Sequence, residues 1–196
     1  MIKLGIFILP NISIKKKILF LRNDVKKKFG MQTYLNHLPH CTMYVFQTSK
    51  KNLKKIKKIA HISIKKNKSF EVNKTDIFLN DPITKKNTFI IKVKKNIFLS
   101  NLQKIFVNLF CKYAFKKKEI FSNKLMEKNF RLFGYPFIGS NWKPHFTIAS
   151  ISKKNDQKNF ISEFKSINIK KKQLLKNIFL YQIKKNKHQL ICKIKI

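Results

Sequence analysis

The sequence predicts an α+β chain made of two similar α/β halves, and three observations predict it. Strand-like and helix-like stretches alternate along the chain. The strand–helix–strand order of the first quarter returns, as strand–helix–loop–strand, between Thr88 and Ile151. A Pro-His-x-Thr-apolar motif occurs once in each of those stretches, at 39–43 and at 144–148. At 196 residues and 23.4 kDa the chain is the size of one domain, and its 43% apolar content can fill a sizeable core. One domain spanning 1–196 is expected.

Residues 3–9 form a short apolar strand ended by Pro10. The apolar run before Pro10 is only about six residues, too short for a secretory signal core, and no small-residue cleavage site follows. Ile14, Ile18, Leu21, Val25 and Phe29 recur at spacings of three and four, which predicts a helix closed by Gly30. Tyr34 to Gln47 returns as a strand. Leu53, Ile56, Ile59 and Ala60 sit at helical spacing, and Ser69 to Leu79 reads as extended. Asp81-Pro82 marks a turn, and 88–94 alternate as a strand. Ile97 to Phe115 is the clearest amphipathic helix, with Leu102, Ile105, Phe106, Leu109, Phe110 and Tyr113 inward. Its polar interruptions exclude a membrane span, and its apolar stripe is read as core. Gly134 to Asn141 is a loop and Trp142 to Ile151 a strand. Phe160, Phe164 and Ile167 mark a short helix, and 177–184 with 188–196 suit a closing hairpin.

The charge is extreme: 45 Lys plus Arg against 8 Asp plus Glu, formally +37. Clustered cations displace counterions from phosphates, so the excess invites a nucleic-acid reading. Only Arg22 and Arg131 are Arg, however, and Ile, Asn and Phe are also heavily used. That is the profile of AT-rich coding sequence, in which lysine fills tolerant solvated positions. The eight carboxylates are scattered, which excludes a nuclease whose metals need several converging on one point. Cys41, Cys111 and Cys192 are odd in number and widely spaced, so reduced thiols in a cytoplasmic setting are expected.

The motif pair carries the chemistry. With five His, five Pro and seven Thr in the chain, chance would give Pro-His-x-Thr roughly 0.005 times per chain. Strand side chains alternate faces, so His and Thr two apart project together while the intervening residue faces the core. Lys143, His145 and Thr147 then share one face, and Pro144, Phe146 and Ile148 the other. One such strand from each half sets two imidazoles and two hydroxyls around a cleft. Two histidines suit phosphodiester chemistry: one neutral imidazole takes a proton from the attacking oxygen while the other, charged, gives one to the leaving oxygen. The threonine hydroxyls can donate to non-bridging phosphate oxygens, where charge builds in the transition state.

Twin His-x-Thr-apolar motifs about a hundred residues apart, after an opening strand ending in Pro, resemble the two-histidine phosphoesterase superfamily, nearest its 2′-5′ RNA ligase-like and cyclic phosphodiesterase branch. The resemblance implies a bilobal fold, two pseudo-symmetric α/β lobes with antiparallel sheets lining a central cleft. It also implies that His40 and His145 are the acid/base pair, that Thr42 and Thr147 bind phosphate, and that the substrate is a 2′,3′-cyclic phosphate or a 2′-5′ linkage, handled without metal or cofactor. In one respect the chain departs from the branch, whose bacterial members often carry an Arg soon after the second motif. Here Ser150, Ser152, Lys153 and Lys154 stand there, and lysine lacks the bidentate fork.

Further candidates surround the motifs. Lys143 shares the face of His145 and can touch phosphate. Tyr34, Tyr44, Phe133, Tyr135 and Trp142 flank the motifs, and Tyr135 and Trp142, which bound the Gly134–Gly139 loop, are the candidates to stack on a base. His37-x-x-His40-Cys41 lacks a second cluster at zinc-like spacing, so no metal is assigned. His61 and His188 lie among lysines and are expected at the surface. Three functions compete: a phosphodiesterase acting on RNA cyclic-phosphate ends or 2′-5′ linkages, one acting on a small cyclic nucleotide or ADP-ribose cyclic phosphate, and a non-catalytic RNA-binding protein. The expected partner is RNA or a cyclic-phosphate nucleotide, with no membrane, and the chain is expected to be a monomer.

Overall fold

In the computed structural model the described residues are 1–60, 68–117, 119–121, 123–152, 157–184 and 187–196. The apolar start forms β1 (Ile2–Ile8), followed by α1 (Ile12–Phe29), whose cap Asn11 accepts from the Ile14 N–H at 2.9 Å. Next come β2 (Cys41–Thr48), α2 (Leu53–Ala60), β3 (Lys68–Phe78) and β4 (Asn87–Val93). Then follow α3 (Ile97–Phe110), α4 (Lys124–Phe133), β5 (His145–Ile151), α5 (Lys158–Ser166), β6 (Asn168–Leu175), β7 (Asn177–Lys184) and β8 (Lys187–Lys195). Among the described residues no helix is long and apolar enough to cross a membrane.

The eight strands order as β6-β3-β4-β5-β2-β1-β7-β8, with every named pair antiparallel. The sheet is two four-stranded halves, because β2 and β5 share a single residue pair, Cys41 with Phe146. The helices cross this seam. α1 leaves β1 in the first half and packs on β5 in the second, while α3 leaves β4 and packs on β2. Ile14, Ile18, Leu21 and Val25 on α1 and Leu99, Leu102, Phe106 and Phe110 on α3 are buried in one continuous core with Phe46, Phe89 and Phe146. Each half is therefore held by a helix launched from the other.

Several boundaries differ from the sequence reading. The strand expected from Tyr34 starts only at Cys41, and the one expected from Trp142 starts at His145. Pro39 and Pro144 have no N–H for a ladder bond, so pairing begins after them. The long helix ends at Phe110 and finishes in a 3-10 turn, Cys111–Tyr113. Ile105, expected inward, is 39% exposed, whereas Gln103 is buried because its amide donates to the carbonyls of Met43 and Phe137. α4 and β6 were not expected. α4 carries its own signals: Asn123 caps it through the N–H groups of Leu125 and Met126, and Gly134 ends it at φ 69°. A Cβ on Gly134 would also lie 2.9 Å from the Phe115 carbonyl. In β6 a lysine run masks the alternation, as suits an edge strand.

Candidate active site

Cys41 opposite Phe146 is where the halves meet, and each is the residue after a motif histidine. Continuing that antiparallel register sets Thr42 opposite His145 and His40 opposite Thr147. Cys41 and Phe146 are buried at 1% and 0% exposure, so the other four project from the opposite face. All four line one cavity of about 640 Å³, together with Lys143, Tyr135 and Trp142. That volume suits a ligand of nucleotide size.

The two histidines are held alike. His40 Nδ1 donates to the Leu38 carbonyl at 2.7 Å and His145 Nδ1 to the Lys143 carbonyl at 2.6 Å, two residues back in each case. A carbonyl only accepts, so each Nδ1 carries the hydrogen and Nε2 is the nitrogen left for substrate. Each ring also leans on a phenylalanine of its own half. Phe7 lies with its centroid 3.9 Å from that of His40, and Phe78 meets His145 edge-on at 5.0 Å.

Burial lowers the pKa of both imidazoles. His40 is held down to about 3, chiefly by burial, with His188, His145 and His37 adding repulsion and the Leu38 carbonyl opposing. His145 is also lowered by burial, but the Lys143 carbonyl and the charge of Asp81 pull the other way. Both rings are thus neutral at pH 7 in the free site.

Trp142 lines the cavity yet is 3% exposed, and its indole Nε1 donates to the Thr42 carbonyl at 2.9 Å. It braces the second motif against the first rather than offering an open face for a base, because its ring is spent on packing. Tyr135 is half-buried and meets Tyr44 and Phe137 edge-on. Lys143 is exposed, with Nζ 6.0 Å from the Phe78 ring centroid. His188, expected at the surface, is half-buried on β8 with its ring 5.2 Å from that of His40 and 5.8 Å from that of His37. The hairpin β7–β8 folds back beside β1 and delivers it there. His61, Lys153 and Lys154 lie outside the described residues.

The sequence reading missed Arg22. It is 5% exposed, lines the cavity from α1, and donates from Nη1 to the His37 carbonyl and from Nη2 to the Thr147 carbonyl at 3.0 Å. One guanidinium thereby ties the loop before His40 to the strand of His145. Burial lowers its pKa to about 10, still charged at neutral pH, so a buried cation underlies the cavity. The signal of Arg22 was legible: one of two arginines among 43 lysines, set in the apolar stripe of α1. Arg22 Nε and Asn141 Nδ2, both on residues lining this cavity, are buried polar atoms without a hydrogen-bond partner among the described residues. Among those residues, no group of three or more His, Cys, Asp or Glu is arranged to hold a metal ion.

No protein-family model matches the chain, and the search of curated proteins found no match. Solved structures do match it. TT0787 of Thermus thermophilus is 13% identical over 98% of this chain and 97% of its own, with a TM-score of 0.70. A protein described as a phosphoesterase is 9% identical over 100% and 99%, with a TM-score of 0.59. E. coli LigT, crystallised with 3′-AMP, is 11% identical over 100% and 98%, also at 0.59. These likenesses run the length of both chains and show that this protein has the LigT-like fold.

Proposed function

We propose that this chain is a two-histidine phosphoesterase of the LigT kind, opening 2′,3′-cyclic phosphate ends of RNA or acting on 2′-5′ linkages. The observation that carries the reading is the matched pair of imidazoles: two histidines from two halves, each fixed through Nδ1 to the carbonyl two residues back, on one cavity. The fold of a phosphoesterase and of LigT supports it. His40, neutral at pH 7, acts as the general base. Its Nε2 takes the proton of the attacking water as the oxygen bonds to phosphorus. His145, charged when the phosphate anion enters, gives its Nε2 proton to the ribose oxygen as the phosphorus–oxygen bond breaks. The hydroxyls of Thr42 and Thr147 donate to the non-bridging oxygens, with Lys143 and the buried charge of Arg22 offsetting the anion.

The test is turnover of an RNA oligomer ending in a 2′,3′-cyclic phosphate, in excess EDTA, by wild type and by His145→Ala. Opening by the wild type alone supports the reading. No opening by either, or loss of activity in EDTA, overturns it. The cavity volume also fits a second substrate, a small cyclic nucleotide such as an ADP-ribose cyclic phosphate. Equal turnover of mononucleotide and oligomer would favour that one.

A further inference from the structure

The face that carries His145 does not end at the cavity. In the β4–β5 register Lys92 stands opposite His145 and Ile90 opposite Thr147, and in the β3–β4 register Asp76 stands opposite Ile90. Directly opposed residues of an antiparallel pair project from the same face. The catalytic face of β5 therefore continues across β4 and β3 to the edge strand β6, and a second cavity of about 1140 Å³ lies over it. The two cavities share Ile77, Phe78, Trp142 and Lys143 as walls. They are one trough with two floors.

The floors differ in charge. Lysines make nine of the 23 residues lining the outer groove, among them Lys74, Lys92, Lys95, Lys165, Lys170 and Lys172. In the catalytic cavity, lysine makes one of 22. Codon drift spreads lysine over tolerant surface without regard to its neighbours. It does not explain why one continuous face turns from nearly lysine-free to more than one-third lysine. The two carboxylates in the groove, Asp76 and Glu71, already hold Lys92 at 2.8 Å and Lys94 at 3.2 Å. A formal excess of seven positive charges remains. The groove runs outward from β5 by three strand spacings, about 14 Å at roughly 4.8 Å each, further than one nucleotide carries its phosphate.

We infer that this lysine groove over β4, β3 and β6 binds the sugar–phosphate backbone of a single-stranded polynucleotide whose reacting end lies between His40 and His145. Phosphates spaced along a strand match a line of ammonium groups that act as point charges and read no sequence. The inference rests on the proposed function for the reacting end only. The groove itself makes a binding claim that stands or falls separately.

The test uses the whole protein with Lys74, Lys170 and Lys172 each changed to Ser, all three exposed and away from the cavity. A matched control carries Lys15→Ser, Lys16→Ser and Lys27→Ser on the outer side of α1, with the same loss of charge. The first readout is binding of a fluorescent RNA oligomer across a salt series. The groove variant is expected to bind about tenfold more weakly, with a salt slope about two units shallower, as loss of three single-strand phosphate contacts gives. The control stays close to wild type. Equal weakening in both, or none in the groove variant, overturns the inference. The second readout is turnover. The groove variant raises KM for the cyclic-phosphate oligomer and leaves turnover of a 2′,3′-cyclic mononucleotide unchanged. Failure of the wild type to turn over either substrate would overturn the proposed function, while the binding series would still decide the groove.

Discussion

The ring of Phe7 lies against that of His40, centroids 3.9 Å apart, and Gly5, two residues back on the same strand, is what leaves it room. A Cβ at Gly5 would stand 2.2 Å from Phe7 Cζ. Gly5→Ala therefore drives the phenyl ring toward the imidazole it supports. The expected result is a folded protein whose kcat on a cyclic-phosphate oligomer falls by about 10- to 100-fold, since small misplacements of a reacting group cost that much. Steady-state kinetics beside a circular dichroism spectrum checks it. Unchanged kcat would mean that Phe7 does not hold His40 in place.

Arg22 joins the two motifs through the carbonyls of His37 and Thr147. Arg22→Met keeps much of the packing but strips both acceptors of their donor, at about 2–4 kcal/mol for the pair. Arg22→Lys keeps the charge but not the fork, and should recover only part of the loss. Urea unfolding of the three proteins measures this. Equal stability of Arg22→Met and wild type would rule out the clamp.

Acid should destabilise the fold through His40. Its folded pKa, about 3, lies below the ordinary value of 6.5, so between those values the unfolded chain binds more protons. The stabilisation is complete above about pH 6.5 and is lost as pH falls toward 3. Tm measured from pH 7.5 down to pH 4.5 should fall more steeply for wild type than for His40→Gln. Parallel curves would show that His40 titrates normally in the fold.

Trp142 distinguishes a brace from a stacking platform. Trp142→Phe removes the Nε1 bond to Thr42 while keeping an aromatic ring, and should cost about 1 kcal/mol of stability. KM for the oligomer should move less than about twofold, because a ring 3% exposed has no open face for a base. A KM raised tenfold at unchanged stability would restore the stacking role.

The alternation of buried and projecting residues made His40, Thr42, His145 and Thr147 legible as a set, since a period of two depends only on neighbours along the strand. Strand-like composition alone puts the strand starts at Tyr34 and Trp142, whereas Pro39 and Pro144 mark where ladder pairing can begin. Arg22 was overlooked because an arginine among lysines looks like surface charge until its place in the stripe of Ile14, Ile18 and Val25 is weighed. β6 was missed because Asn168–Leu175 is an edge strand whose lysines obscure the period.

Local chemistry in the chain thus determined the two halves, most of their elements and the residues that form the motif pair. It did so because periodicity, proline and caps act within a few residues. What faces what was decided in three dimensions. The seam at Cys41 and Phe146, the exchange of α1 and α3 between halves, the arrival of His188 beside His40 and the pairing of Lys92 with His145 all join residues about 50 to 150 positions apart. Such neighbours are set by which apolar faces bury against each other, and that choice depends on the whole core at once.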